Sequence, residues 1–328
     1  MKATSVGVNF LRTPILFIVF NRPDTTIKVF EAIRKVKPSR LYIASDGPRD
    51  EKNGEDQRVM QVRKIVTAID WPCELKTLFR EKNLGCKYGI SNGIDWFFKH
   101  EEQGIILEDD CLPHQDFFQY CQALLNYYRN SNKVLAISGV NFYNKNKSDY
   151  ESYYFSKYFH CWGWATWRSS WDLYDREISF WPLWKCSEDW NRRFTDKVEK
   201  KYWEKIFDLT YSKQIDTWDY QFLASLWKKN GLTVIPKKNL VTNIGFGNNA
   251  SHTTDVTHKF SNFPLKEIGK LIHPKKIKQN HKRDRDLFDL LFEGRYLRVP
   301  WIFFSFPRRK VGYLLRKIKF ILKFLIRS

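Results

Sequence analysis

Several familiar signatures are missing from this chain, and each gap removes a class of protein. The six cysteines (Cys73, Cys86, Cys111, Cys121, Cys161 and Cys186) form no C-x-x-C pair and no metal-finger spacing, so the expectation is reduced thiols in a cytoplasmic protein. No secretory signal precedes them. The apolar stretch from Pro14 to Phe20 is too short and too interrupted for a signal or a membrane span, with Arg12 before it and Arg22 after, and it is read as a buried strand. No G-x-G-x-x-G or Walker-type loop follows any strand candidate, which disfavours a dinucleotide or P-loop phosphate site. There is no internal repeat. There is also no helix-turn-helix or RNA-binding signature, and the basic residues are dispersed apart from the tail, so nucleic acid is not the expected partner.

Acids are scarce. Against 56 Lys and Arg stand 36 Asp and Glu, a formal charge of +20, which implies attraction to an anionic ligand such as phosphate groups or an acidic lipid surface. Hydrophobic residues make up 43% of the 328, enough for a substantial core in one large domain or two modest ones. Aromatics reach 17% and include 13 Trp, crowded between Trp162 and Trp227, so flat apolar surfaces are expected there, some of them facing a ligand.

From Pro14 to Glu108, short apolar runs alternate with amphipathic stretches: PILFIVF, TTIKVFEAIRKV, RLYIAS, DQRVMQVRKIVTAI, CELKTLF, YGISNGIDWFFKH and GIIL. That alternation predicts an α/β domain with a mainly parallel sheet and helices on its faces, because parallel neighbours need crossover connections. Polar residues follow the strands: Asn21 and Arg22, then Ser45 and Asp46, then Arg80 and Glu81, then Glu108, Asp109 and Asp110. The carboxyl edge of an open α/β sheet is where ligands bind. Beyond Pro113 the pattern predicts a helix from Gln115 to Arg129, a strand at VLAISG, and a polar linker from Asn141 to Ser152. A second half follows, with a helix from Lys197 to Tyr211 and strands at LTVIP and NLVTNIGF. At helical spacing, Trp164 and Trp167 share a face. The tail, within 311–328, sets Leu314, Ile318, Ile321, Leu322 and Leu325 against Arg316, Lys319, Lys323 and Arg327. This is a basic amphipathic helix suited either to an anionic membrane surface or to packing on the domain.

The three consecutive acids in GIILEDDCLP repel one another unless a cation or hydrogen-bond donors compensate. Oxygen-only ligation suits Mg²⁺ or Mn²⁺, which take one or two protein carboxylates and complete their shells with water and substrate phosphate. Asp110, last in the run, is the candidate ligand. The competing reading is a solvated turn whose acids favour the N-terminus of the next helix.

The stretch GIILEDDCLPHQDFFQY resembles the strand, E-D-D motif and following helix of N-acetylglucosaminyltransferase I and its bacterial relatives, inverting nucleotide-sugar-dependent enzymes of the GT-A fold. FNRP, SDG, ISGVN, FHCWGWATWRSSWD, TWDYQF and NLVTNIGFGNNASHTT are similar to other blocks of that family in the same order, over residues 14–255. The resemblance implies a nucleotide-sugar-binding half at 1–140, an acceptor and catalytic half of the same domain at 141–260, and a basic C-terminal extension at 261–328. It implies Asp110 as metal ligand, Glu108 and Asp109 on the donor's sugar or ribose, Arg22 and Asp46 on the nucleotide, and Asp219 as the base that deprotonates the acceptor hydroxyl. Asp216 competes with Asp219 for that role, and Asp219 can instead be a helix cap. Lys87 is a candidate for the diphosphate or an exposed helix residue. His252 is a donor contact in a closing loop or an ordinary surface histidine. Gly163, Trp164 and Trp218 form a candidate sugar platform, with core packing expected for at least one of Trp162, Trp164 and Trp167.

The chain departs from the family in having one acid at WDY where the eukaryotic enzyme has two, which leaves the acceptor open. The expectation is a cytoplasmic enzyme, peripheral to the inner face of the plasma membrane, that builds bacterial surface polysaccharide from a UDP-sugar and a glycan or lipid-linked acceptor. A nucleotidyl- or phosphotransferase on the same scaffold and a non-catalytic binder of anionic polymers are the alternatives.

Overall fold

The computed structural model describes residues 11–143, 150–246, 260–261 and 263–298. His252 and the amphipathic tail at 311–328 lie outside the described residues. The elements are β1 (Ile15–Val19), α1 (Pro23–Val36), β2 (Arg40–Ser45), α2 (Glu55–Thr67), β3 (Glu74–Phe79), α3 (Gly85–His100), β4 (Gln103–Glu108), β5 (Cys111–Pro113), α4 (Asp116–Tyr128) and β6 (Val134–Ser138). They continue with β7 (Tyr153–Ser156), β8 (Trp164–Trp167), α5 (Arg168–Trp171), α6 (Trp181–Lys185), α7 (Glu188–Arg192), α8 (Lys197–Tyr211), α9 (Asp219–Lys228), β9 (Leu232–Pro236), β10 (Val241–Asn243), α10 (His281–Leu291) and α11 (Gly294–Leu297).

One eight-stranded sheet, ordered β3-β2-β1-β4-β8-β6-β9-β7, runs through both halves. The strands β3, β2, β1 and β4 are parallel neighbours. β8 runs against both β4 and β6, β9 is parallel to β6, and β7 closes the edge antiparallel to β9. The mainly parallel α/β sheet expected from the alternation is therefore present, with helices packed on it. The side chains of β1 show why it sits centrally: Leu16 and Ile18 enter one hydrophobic cluster, while Ile15, Phe17 and Val19 enter a second on the other face. A strand apolar on both faces belongs inside a sheet covered on both sides.

The Trp164 and Trp167 expectation needs correction. These residues bound β8, and side chains three apart in a strand point to opposite faces. Trp164 accordingly joins the first cluster and Trp167 the second. Pairing on both edges, with β4 and β6, outweighs the helical spacing of the apolar residues.

Most of the tryptophans are core. Trp181, Trp184, Trp190, Trp203 and Trp227 are fully buried and meet each other and Phe207 at centroid distances of 4.8–6.4 Å. Each removes roughly 150–250 Å² from water, on the order of 4–6 kcal/mol of transfer free energy. Against this cluster the segment after 263 docks as well: Leu287 and Phe288 of α10 are buried, and buried Asp284 accepts hydrogen bonds from Ser156 and the Lys157 amide. Among the described residues no helix is long and apolar enough to cross a membrane.

Candidate active site

Because β1, β2 and β4 run in parallel register, their carboxyl ends deliver side chains to one edge. Ile18 sits opposite Glu108 and Val19 opposite Ser45, so the residues that follow face each other across a cleft of about 960 Å³. Pro23 opens α1 and leaves Arg22 at the turn, where its carbonyl accepts from Thr26. The Arg22 guanidinium then reaches over to β4, pairing with Asp109 through one terminal nitrogen and with Asp110 through the other, at 2.9 Å. Asp109 also accepts from the Phe20 amide at 3.1 Å. Burial alone lowers the pKa of Arg22, but Asp109 and Asp110 more than reverse this, and it stays a cation.

Glu108 differs from its two neighbours. Burial, with the charges of Asp110 and Asp109, pushes its carboxyl well above the ordinary range; Arg22 opposes this and Asp219 adds to it. Arg22 pairs with two of the three carboxylates, and burial raises Asp109 as well against the pull of Arg22, so a cation at this edge would relieve the crowding of like charges. Among the described residues no group of three or more His, Cys, Asp or Glu side chains is placed to hold a metal ion by itself. Burial raises the Cys86, Cys111 and Cys161 thiols, and Cys111 points its thiol at Asp110, so soft thiolate ligation does not fit. An oxygen-only site with one or two carboxylates does fit Mg²⁺ or Mn²⁺, with Asp110 and Glu108 as the groups to hold it.

The short sheet formed by β5 and β10 completes this side. It pairs Asn243 with Cys111, and the Ile244 amide donates to the Asp110 carbonyl at 2.8 Å. Gly245 is thereby laid on the ion pair: a Cβ there would lie 2.5 Å from Asp110 Oδ2 and 2.6 Å from Arg22 Nη1. Only a residue without a side chain leaves the pair intact.

At the other end of the cleft stands Asp46. Its Oδ2 accepts from the Leu84 amide at 2.8 Å, while its buried Oδ1 has no hydrogen-bond partner among the described residues. Burial raises its pKa. A buried acceptor without a donor is costly, about 1–3 kcal/mol, and calls for an N–H or O–H from a ligand. Arg49 and Arg80 line the cleft nearby; Arg49 is paired with buried Glu55, and Arg63 props the carbonyls of Asp46 and Arg80 from behind.

Across from the acids, Trp218 and Asp219 open α9. Thr217 Oγ1 donates to Asp219 Oδ1, fixing one oxygen of the carboxylate. Trp218 is largely buried, lines the cleft and stacks on Trp164 at 5.6 Å.

Arg22, Asp46, Glu108, Asp109, Asp110, Trp218 and Asp219 thus share one cleft. Lys87, Gly163 and Trp164 are not among its lining. Lys87 is buried and its ammonium donates to Glu177 at 2.9 Å. Lys213 pairs with the same carboxylate at 3.3 Å, so Lys87 braces the loop leading to Asp219. Trp164 is wholly buried, and Gly163, at φ +60°, makes room for Val241, whose Cγ2 would be 2.7 Å from a Cβ. The aromatic lining of the cleft comes instead from half-buried Trp162, edge-to-face with Phe246 at 5.8 Å. Gly245 and Thr217 were not singled out from sequence; their only signals are a glycine two residues after β10 and a hydroxyl two before an acid.

No protein-family model matches this chain, and no curated protein matches it. Among solved structures it is similar to S. aureus TarS 1–349, at 13% identity and a TM-score of 0.34 over 51% of each chain, so it spans about half the length of that protein. It is also similar to the 4-diphosphocytidyl-2C-methyl-D-erythritol synthase of Anaerococcus prevotii, at 11% identity and 0.31 over 60% of this chain and 83% of that one. A cytidylyltransferase from Leptospira borgpetersenii matches at 13% identity and 0.30, over 60% and 73%.

Proposed function

We propose that this protein is an inverting, divalent-cation-dependent glycosyltransferase that moves a sugar from a nucleoside diphosphate, with uridine as the expected base, to an acceptor hydroxyl. The observation that carries the reading is the meeting of Glu108, Asp109 and Asp110 with Asp219 across one cleft, close enough for Asp219 to help raise the Glu108 pKa. At one end, the Oδ1 of Asp46, without a partner among the described residues, suits a base that offers an N–H, as uracil does. When bound at Asp110, the cation supplies charge stabilisation to the departing diphosphate. Arg22 keeps Asp109 and Asp110 in place, and Arg80 adds a cationic side chain to the donor end of the cleft.

Asp219, oriented by Thr217, takes the proton of the acceptor hydroxyl as that oxygen bonds to the anomeric carbon. The bond from that carbon to the diphosphate breaks on the opposite face, so configuration inverts and nucleoside diphosphate leaves. The test is a thermal-shift screen of UDP-sugars with Mn²⁺, followed by turnover of the stabilising donor. A specific ligand raises the melting temperature by mass action, and Asp110→Ala and Asp219→Ala should each lower turnover by about a hundredfold or more. Full activity in both variants would sink the site assignment.

A further inference from the structure

We infer that Arg49 is a base-recognising residue of the donor site and that buried Glu55 is its positioning residue. This rests on the sugar-transfer reading above and concerns the end of the cleft around Asp46. Phe20 and Asp46 directly follow the register pair Val19 and Ser45, so they leave neighbouring strands side by side. Adjacent strands lie about 4.8 Å apart. A planar base that donates an N–H to Asp46 therefore comes to rest beside Phe20, and Phe20 carries the Arg49 guanidinium over its ring, 5.4 Å from the centroid. All three residues line the cleft.

Arg49 belongs to the loop between β2 and α2, and its side chain is 49% exposed. A long side chain so placed ordinarily samples many rotamers. Glu55, in the first turn of α2, removes that freedom. Its side chain is wholly buried, and it accepts from the Arg49 amide at 2.7 Å, from Arg49 Nε at 3.0 Å and from Arg49 Nη2. Asn21 Nδ2 donates to the same carboxylate at 2.7 Å, which ties the loop after β2 to the turn after β1. Burial works to raise the Glu55 carboxyl, and the hydrogen bonds from Arg49 and Asn21 more than reverse this, so it remains charged. Leaving such a carboxylate buried with one partner removed is costly, which keeps Arg49 in its place. An arginine gripped side-on by a carboxylate offers a ligand little net charge. What it offers is a flat, weakly hydrated plane in a fixed position, and such planes stack on flat rings. The base is the flat part of a nucleoside-diphosphate donor. Arg49 thus recognises it by shape, beside the hydrogen bond that Asp46 accepts.

The experiment measures dissociation constants of UDP, UMP and inorganic pyrophosphate for the full chain with Mg²⁺ by titration calorimetry. Arg49→Ala should weaken UDP and UMP by the same factor, about tenfold, and leave pyrophosphate within about twofold. Arg49→Lys keeps the charge, loses the plane and should not restore them. Glu55→Gln should weaken both nucleotides about fivefold in the wild-type background and less than about twofold in an Arg49→Ala background, because it acts through Arg49. In turnover, the same variants should raise KM for the UDP-sugar while kcat stays within about threefold. A loss for UDP without a loss for UMP, or a matching loss for pyrophosphate, assigns Arg49 to phosphate and overturns the inference. So does full affinity in Arg49→Ala, or a Glu55→Gln effect undiminished in the Arg49→Ala background. These results leave sugar transfer standing. Should Glu55→Gln fail to fold, the two substitutions at exposed Arg49 still decide the matter. A wild type that binds neither UDP nor UMP overturns the donor reading and this inference with it.

Discussion

On the wall made by the ends of β1, β2 and β4, the acids are tied down: Asp109 and Asp110 to Arg22, Asp46 to the Leu84 amide, with Gly245 laid against the Arg22–Asp110 pair. On the facing wall, Asp219 is held by Thr217, and Asp216 stands exposed at the mouth with no partner among the described residues. The first wall is pre-set by strand register and suits a ligand with fixed geometry, such as a nucleoside diphosphate. The second is carried on a loop whose Lys213 pairs with Glu177, a carboxylate that Lys87 of α3 also holds.

The largest effect is expected where the first wall is tightest. Gly245→Ala places a methyl group within 2.5–2.6 Å of both Asp110 and Arg22, so the two must separate. A loss of about a hundredfold in turnover is predicted, with the thermal transition retained, because displacement of a charged site by a fraction of an ångström is enough to spoil positioning. Steady-state kinetics on the folded variant checks it; wild-type turnover would show that the ion pair is not part of the working geometry.

A smaller effect is predicted on the second wall. Thr217→Val removes the hydroxyl that donates to Asp219 and should lower kcat by about tenfold. A carboxylate deprived of a donor gains a proton more readily, so the acid limb of the pH–rate profile should move to higher pH, and Thr217→Ser should restore it. An unmoved profile would assign Thr217 to structure alone.

Behind the second wall, His160 is buried against Phe142 at 5.1 Å, with no partner for Nε2 among the described residues, and burial pushes its pKa down to about 3. Unfolded, it takes a proton near its ordinary value of about 6.5. The unfolded state therefore binds the extra proton between those values, and stability falls as pH drops through that window. At pH 5 the loss from this group is about 2 kcal/mol relative to pH 8. Urea unfolding at both pH values, in the wild type and in His160→Gln, should show a correspondingly flatter dependence in the variant; parallel curves would contradict it.

How much of this was readable beforehand follows from the range of the interactions. β2 spans RLYIAS and α8 spans Lys197–Tyr211, as their periodicities predict, because burial of one face or both is written locally. The E-D-D run was legible as a candidate because three adjacent carboxylates repel one another unless something offsets them, while Asp219 stood out only through the family resemblance of its block. The rest depended on partners far along the chain. Lys87 looks like a phosphate ligand until Glu177, 90 residues away, takes its ammonium. WATW looks helical until β4 and β6 claim both its edges. Gly245 is one glycine among several until pairing of β5 with β10 lays it on Asp110.

The central claim is that this cleft breaks the bond between a sugar and a nucleoside diphosphate, with the acids around Asp110 and Asp219 as its machinery. It is tested most directly by identifying the phosphorus-containing product of a UDP-sugar incubated with the full chain, Mn²⁺ and a neutral glycoside, using ³¹P NMR. Free UDP, formed with an inverted anomeric linkage and abolished in Asp110→Ala, is the predicted result. Pyrophosphate release, or UDP formation that survives in Asp110→Ala, would contradict it.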